Sequence, residues 1–127
     1  MDKKTVLLVL CRRVIADLLI ETIEKRPQMK AHGIYEFKDA RAAAATYKPQ
    51  IALVEIPEAP GDPALKAFDV CKVIKEASPD CKIVMLCPEA DKKSVTICVQ
   101  AKKLGEIEAF LFYEASVEYL VSQLEAL

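Results

Sequence analysis

Two aliphatic runs in this sequence end on groups that can do chemistry. Ile51-Ala52-Leu53-Val54 runs into Glu55, and Val6 to Leu10 runs into Cys11, Arg12 and Arg13. A carboxylate facing a guanidinium makes a charge-assisted pair, so Arg12 or Arg13 is expected to answer Glu55 across a crevice. Two further runs, Ile83 to Leu86 and Ala109 to Phe112, end on Cys87 and Tyr113. If the four run-ends meet, Cys11 and Cys87 face one another. Such a thiol pair can sense oxidation or take a soft metal; the alternative is two small apolar side chains that fill space. The cysteines stand at 11, 71, 81, 87 and 98, an odd count with no Cys-x-x-Cys. That pattern argues against a disulfide framework or zinc site and for free thiols in a reducing cytosol. His32, the single histidine, has no Asp or Cys at ligand spacing and reads as a surface or strand-end residue.

The elements that must position these residues follow from periodicity. Val6–Leu10 is a continuous aliphatic run, as a strand buried on both faces requires. Val14, Ile15, Leu18, Leu19 and Ile23 repeat at helical steps, so 12–26 is an amphipathic helix that Pro27 helps to end. Ile34–Phe37 reads as a second, more polar strand near a sheet edge. Asp39 is expected to cap a helix through the run Ala42 to Ala45, which Lys48-Pro49 stops. The third strand is Ile51–Glu55, and residues 56–62, with two prolines and a glycine, form a loop. Asp62 is expected to cap a helix that has Pro63 in its first turn and runs to about Ala77. A fourth strand covers Ile83–Leu86. A fourth helix covers 91–104, with Gly105 as its C-cap. The fifth strand is Ala109–Phe112, and Ser116 caps a last helix whose core face is Val117, Leu120, Val121 and Leu124.

Five strands alternate with five helices, which implies a parallel sheet with right-handed crossovers and helices on both faces. The working crevice of such a sheet lies at the carboxyl ends of the strands. The residues to watch are therefore Leu10 to Arg13, Glu55, Cys87 and Tyr113. The chain has 127 residues, enough for one domain over 1–127. Its net charge of -1 comes from 18 bases and 19 acids, and its lysine pairs are scattered. A nucleic-acid footprint needs a concentrated basic stripe. No stretch reaches the ~20 apolar residues of a membrane span, and the run Val6 to Cys11 is too short for a signal-peptide core. A soluble, cytoplasmic protein is the expectation.

The sequence resembles the response-regulator receiver domain of two-component signalling. The resemblance rests on Lys48-Pro49-Gln50-Ile51-Ala52-Leu53-Val54-Glu55, on Ser78 to Leu86, on Gly105 to Tyr113 and on Ser116. It implies a flavodoxin-like (βα)5 doubly wound parallel sheet with strand order 2-1-3-4-5. It also implies a site, and the family's residues carry over poorly. The acidic pair that holds magnesium in receivers falls on Leu10 and Cys11. Magnesium takes hard oxygen ligands in an octahedron, which neither supplies. The phosphoacceptor position is Glu55, one methylene longer than aspartate. The hydroxyl that contacts the phosphoryl group matches Cys87, a weak donor. The lysine after the last strand matches Tyr113, and the proline after it is Glu114. The stretch after Glu55 and the fourth helix are both longer than in the family.

The resemblance therefore implies an atypical receiver, or pseudo-receiver, with no metal and no cofactor, that is not an enzyme and signals by contact. Its partner is a protein or a second copy, met through the fourth helix, fifth strand and fifth helix: Ile97, Ala101, Leu104, Phe110, Phe112 and Tyr119. No direct nucleic-acid contact and no membrane are implied. One alternative is a phosphorelay receiver in which Glu55 is a built-in mimic of the phosphorylated acid, its output domain lying outside these 127 residues. Another is an enzyme that carries phosphate on Cys11. That chemistry needs a loop of backbone N–H groups and an arginine to cradle the anion. Here residues 12–17 contain no glycine, and Asp17 stands where that arginine belongs. Flavin and cobalamin motifs are absent as well.

Overall fold

The computed structural model describes residues 3–58 and 60–127. Five strands, β1 (Lys4–Val9), β2 (Met29–Ile34), β3 (Ile51–Glu55), β4 (Lys82–Cys87) and β5 (Ala109–Phe112), form one sheet. All pairings are parallel and the order is β2-β1-β3-β4-β5, the flavodoxin-like doubly wound arrangement expected. The helices are α1 (Arg13–Glu24), α2 (Ala40–Tyr47), α3 (Pro63–Ala77), α4 (Lys92–Lys103) and α5 (Val117–Glu125).

The aliphatic strands β1, β3 and β4 fill the middle of the sheet because helices cover both of their faces. Side chains alternate between two cores. Val6, Leu8, Leu53 and Val84 pack with Ala16, Leu19 and Ile23 of α1 and Leu120, Val121 and Leu124 of α5. Leu7, Val9, Val54, Ile83 and Met85 pack against α2, α3 and α4 through Ala44, Phe68, Ile74, Cys98 and Ala101. The register sets Val9 beside Val54, Glu55 beside Leu86 and Cys87 beside Phe112, so the strand tips end level with one another.

Several local expectations change. The second strand is Met29–Ile34 rather than 34–37. Met29 and Ala31 are its buried positions, and its pairing with β1 begins at Lys4 opposite Met29. Phe37–Asp39 is instead a 3₁₀ turn leading into α2. Asp39 makes no capping hydrogen bond to α2. Lys48, in the left-handed region at φ 47°, ends that helix. Asp62 precedes α3 but does not cap it. Its carboxylate accepts a hydrogen bond from Lys93 Nζ at 2.7 Å and ties the loop after β3 to the start of α4. Of the expected 56–62 loop, Ala59 lies outside the described residues. Ser116 does cap α5, accepting from the Tyr119 backbone N–H at 3.1 Å. Gly105 has φ 74°, which a residue with a Cβ resists, and it follows α4 as expected.

Candidate functional site

The crevice forms where β1, β3, β4 and β5 end. The chain leaves β1 through Leu10, which is fully buried, and Cys11, which is exposed. Arg12 then precedes α1 in an extended conformation, and no side chain caps that helix. Two guanidiniums thus stand at the positive end of a helix dipole, where a cation is disfavoured. Each is accommodated locally. The Arg12 guanidinium lies 5.0 Å from the centre of the Tyr113 ring and pairs with Glu58 at 3.2 Å. That of Arg13 lies 4.2 Å over the Tyr35 ring. Contacts of this kind are individually modest, on the order of 0.5–1 kcal/mol at exposed sites.

Glu55 ends β3 with 0% of its surface exposed. Both carboxylate oxygens are buried without a hydrogen-bond partner, and so is the Tyr113 hydroxyl. The expected pair of Glu55 with Arg12 or Arg13 is therefore not made. Arg12 is held outward by exposed Glu58, which solvates the guanidinium at lower cost than entry into the core. Glu55 and Tyr113 are near enough to interact. Burial first, and then the Glu55 carboxylate, push the Tyr113 hydroxyl far above its usual range, but no hydrogen bond of good geometry joins the two. Burial, with the charges of Glu55 and Glu36, also raises the Cys11 thiol. A raised thiol is a poor nucleophile at neutral pH.

Cys11 and Cys87 do not face one another. Cys87 follows Ile83 and Met85 onto the α2–α4 side of the sheet by the two-residue period of a strand. There its thiol donates to the Pro88 carbonyl, 3.4 Å away, within the core cluster that also holds Cys98 of α4. Sequence reasoning missed this placement of Cys87 on the α4 side of the sheet. The signal was available: pleat parity puts Cys87 on the face opposite Leu86, and Cys98 stands on the inward stripe Ser94-Cys98-Ala101. Ion pairing of Arg12 with Glu58 had no such signal, because it crosses a Pro-rich loop.

The expected partner face is only partly a surface. Ala101 is core, at 3% exposure, since it faces the sheet. Leu104 and Tyr119 are 70% and 51% exposed. Phe110 and Phe112 are half-buried and pack edge to face at 5.9 Å. Ile97 and Leu104 turn toward α3, where they line a groove of about 300 Å³ with Leu65 and Phe68. His32 lies on β2, stacked on Tyr47 at 3.7 Å, in keeping with a surface role.

No protein-family model matches the sequence, and a search of curated proteins finds no relative. Solved structures do share the fold. An adenylate cyclase from Rhodopirellula baltica superposes with TM-score 0.81 at 17% identity, over 98% of this chain and 86% of that one. A CheY-like response regulator receiver domain protein from Methanospirillum hungatei gives 0.77 at 14%, over 98% and 93%. A response regulator from Thermotoga maritima gives 0.76 at 17%, over 98% and 96%. The chain is similar to these proteins in fold.

Proposed function

We propose that this chain is a receiver-type signalling domain whose crevice takes neither magnesium nor a phosphoryl group, and which acts by contact with a protein. The receiver assignment is supported by the fold, shared along nearly the whole length of two response regulators. The loss of phosphorylation is supported by one observation above others: Glu55, at the acceptor position, is wholly enclosed and reaches no solvent. A phosphodonor must reach its acceptor oxygen in line, and here that path is closed.

The donor set does not fit magnesium either. The cation demands an octahedron of hard oxygens and keeps several waters. Around the strand tips stand the aliphatic Leu10, the thiols Cys11 and Cys87, and the phenol of Tyr113, with one carboxylate buried among them. The raised Cys11 thiol speaks against phosphate carriage on sulfur, so the domain is not an enzyme in this reading.

Signalling by contact needs a surface. Leu104 and Tyr119 offer exposed apolar area, Phe110 and Phe112 are half-buried, and the partner is a protein or a second copy. Neither nucleic acid nor membrane is a direct partner, and the cytoplasm is the compartment that suits free thiols. None of the helices among the described residues is long and apolar enough to cross a membrane. A second reading keeps Glu55 as a permanent stand-in for the phosphorylated acid. It is favoured by the placement of that carboxylate beside Tyr113 at the tip of β3. Incubation with acetyl phosphate and magnesium tests the main reading. The intact mass should stay unchanged, and a phosphoryl adduct on Glu55 would overturn it.

A further inference from the structure

Helix α1 carries an exposed apolar ridge. Val14 and Leu18, one turn apart on the same face, are 74% and 47% exposed. Asp17 and Glu21 stand on exposed positions beside them and Glu24 follows, so the helix from Val14 to Glu24 holds acids and no base. On the other side of the sheet, α3 and α4 leave an apolar groove. The cavity of about 300 Å³ that Leu65 and Leu104 line adjoins a second of about 390 Å³, and the two share Phe68, Lys72 and Glu106 as walls. Leu65 and Leu104 are 52% and 70% exposed. Helix α4 has the opposite charge to α1, with lysines at 92, 93, 102 and 103 and no acid. Lys93 is tied to Asp62, whereas Lys92, Lys102 and Lys103 are exposed and make no ion pair among the described residues. We propose that the α1 ridge of one copy seats in the α3–α4 groove of a second copy. This rests on the reading that the domain acts by contact, and it names the partner and a pair of surfaces that leaves out β5 and α5.

Shape and charge favour that occupant together. A convex row of branched aliphatic side chains fits a concave groove walled by Phe68 and Ile97, the arrangement of a helix laid in a groove. Acid then meets base, while ridge against ridge or groove against groove sets like charges together and is disfavoured. Asp69 and Glu106 also line the groove, so its basic excess comes from Lys102 and Lys103, next to Leu104 in the chain. On α1, Lys25 offsets Glu21 at 3.8 Å, and Asp17 and Glu24 are left without an ion pair among the described residues.

The two surfaces cover opposite sides of the sheet, since α1 packs on one core and α3 and α4 on the other. A chain therefore cannot close the contact on itself. Each pair of copies keeps one free ridge and one free groove, and the contact adds copies head to tail instead of stopping at a symmetric dimer. So small a patch gives a weak association that depends on concentration.

Sedimentation velocity over a concentration series tests this with the purified chain. The weight-average mass should climb steadily past that of a dimer. Raising salt from ~0.1 M to ~1 M shortens the screening length from about 10 Å to about 3 Å and should weaken the association several-fold. Leu18→Lys spoils the ridge and Leu104→Glu spoils the groove, both at solvent-exposed positions. Each variant alone should sediment as a monomer with unchanged circular dichroism. An equimolar mixture should regain association, because each variant brings the patch that the other lacks. A monomer at every concentration, association that survives either variant, or a mixture that stays monomeric would overturn the proposal. None of these results bears on whether the crevice accepts phosphate, which the acetyl phosphate incubation decides separately.

Discussion

Glu55→Met tests the enclosed carboxylate most sharply. The substitution keeps an unbranched side chain of similar length and deletes two buried oxygens that have no partner. An unsatisfied buried polar group costs about 1–3 kcal/mol, and replacing buried charge by apolar groups of like volume is neutral or stabilising. The unfolding entropy of ~2.1 cal/mol/K per residue, over 127 residues, is about 270 cal/mol/K. Each 1 kcal/mol therefore moves Tm by ~4 °C, and Glu55→Met should raise it by about 4–11 °C. Thermal melts by calorimetry at neutral pH read this directly. Tyr113→Phe completes a double-mutant cycle. The two side chains are adjacent, so the coupling should exceed the ~0.5 kcal/mol that marks independent sites. A fall in Tm on Glu55→Met would refute the reasoning, because it would mean that the carboxylate is satisfied and contributes to stability.

Three further outcomes follow from the geometry. A spectrophotometric titration of the four tyrosines should show one, Tyr113, that ionises only on unfolding. The sign is that of a raised pKa: the contribution of Tyr113 is complete below the unfolded tyrosine value near ~10 and is lost as pH rises above it. In Tyr113→Phe the late step should vanish, and its persistence would reassign it. Ser116→Ala removes the oxygen that caps α5 and should cost about 0.5–1 kcal/mol, read as a lower urea midpoint with an unchanged slope. Leu53→Ala, in the fully buried centre of β3, should cost about 2–5 kcal/mol in the same assay.

The strands that helices bury on both faces were plain in the sequence. Continuous aliphatic runs gave β3 with its observed bounds, β4 within one residue at each end and β1 within two. Strand β2 was misplaced because an edge strand carrying Lys30, His32 and Gly33 has no such run, while Ile34 and Phe37 imitate one. The Ser116 cap was legible because its partner is three residues away. Asp62 was misread because its partner, Lys93, comes from a helix far along the chain. At the crevice the residue identities were legible, but the directions of side chains were not. Arg12 is drawn by Tyr113 and Glu58, and both contacts depend on loop paths that periodicity does not fix. The placement of Cys87 on the α4 side of the sheet was recoverable from strand parity, which says more about a tip residue than its distance from a neighbouring strand end.

The account depends on strand tips that offer a divalent cation no place to bind. A magnesium titration of the isotope-labelled chain, followed by NMR at the backbone amides of Leu10, Cys11, Glu55 and Cys87, measures this directly. The prediction is no saturable shift at these four positions. A saturable shift confined to them would contradict it.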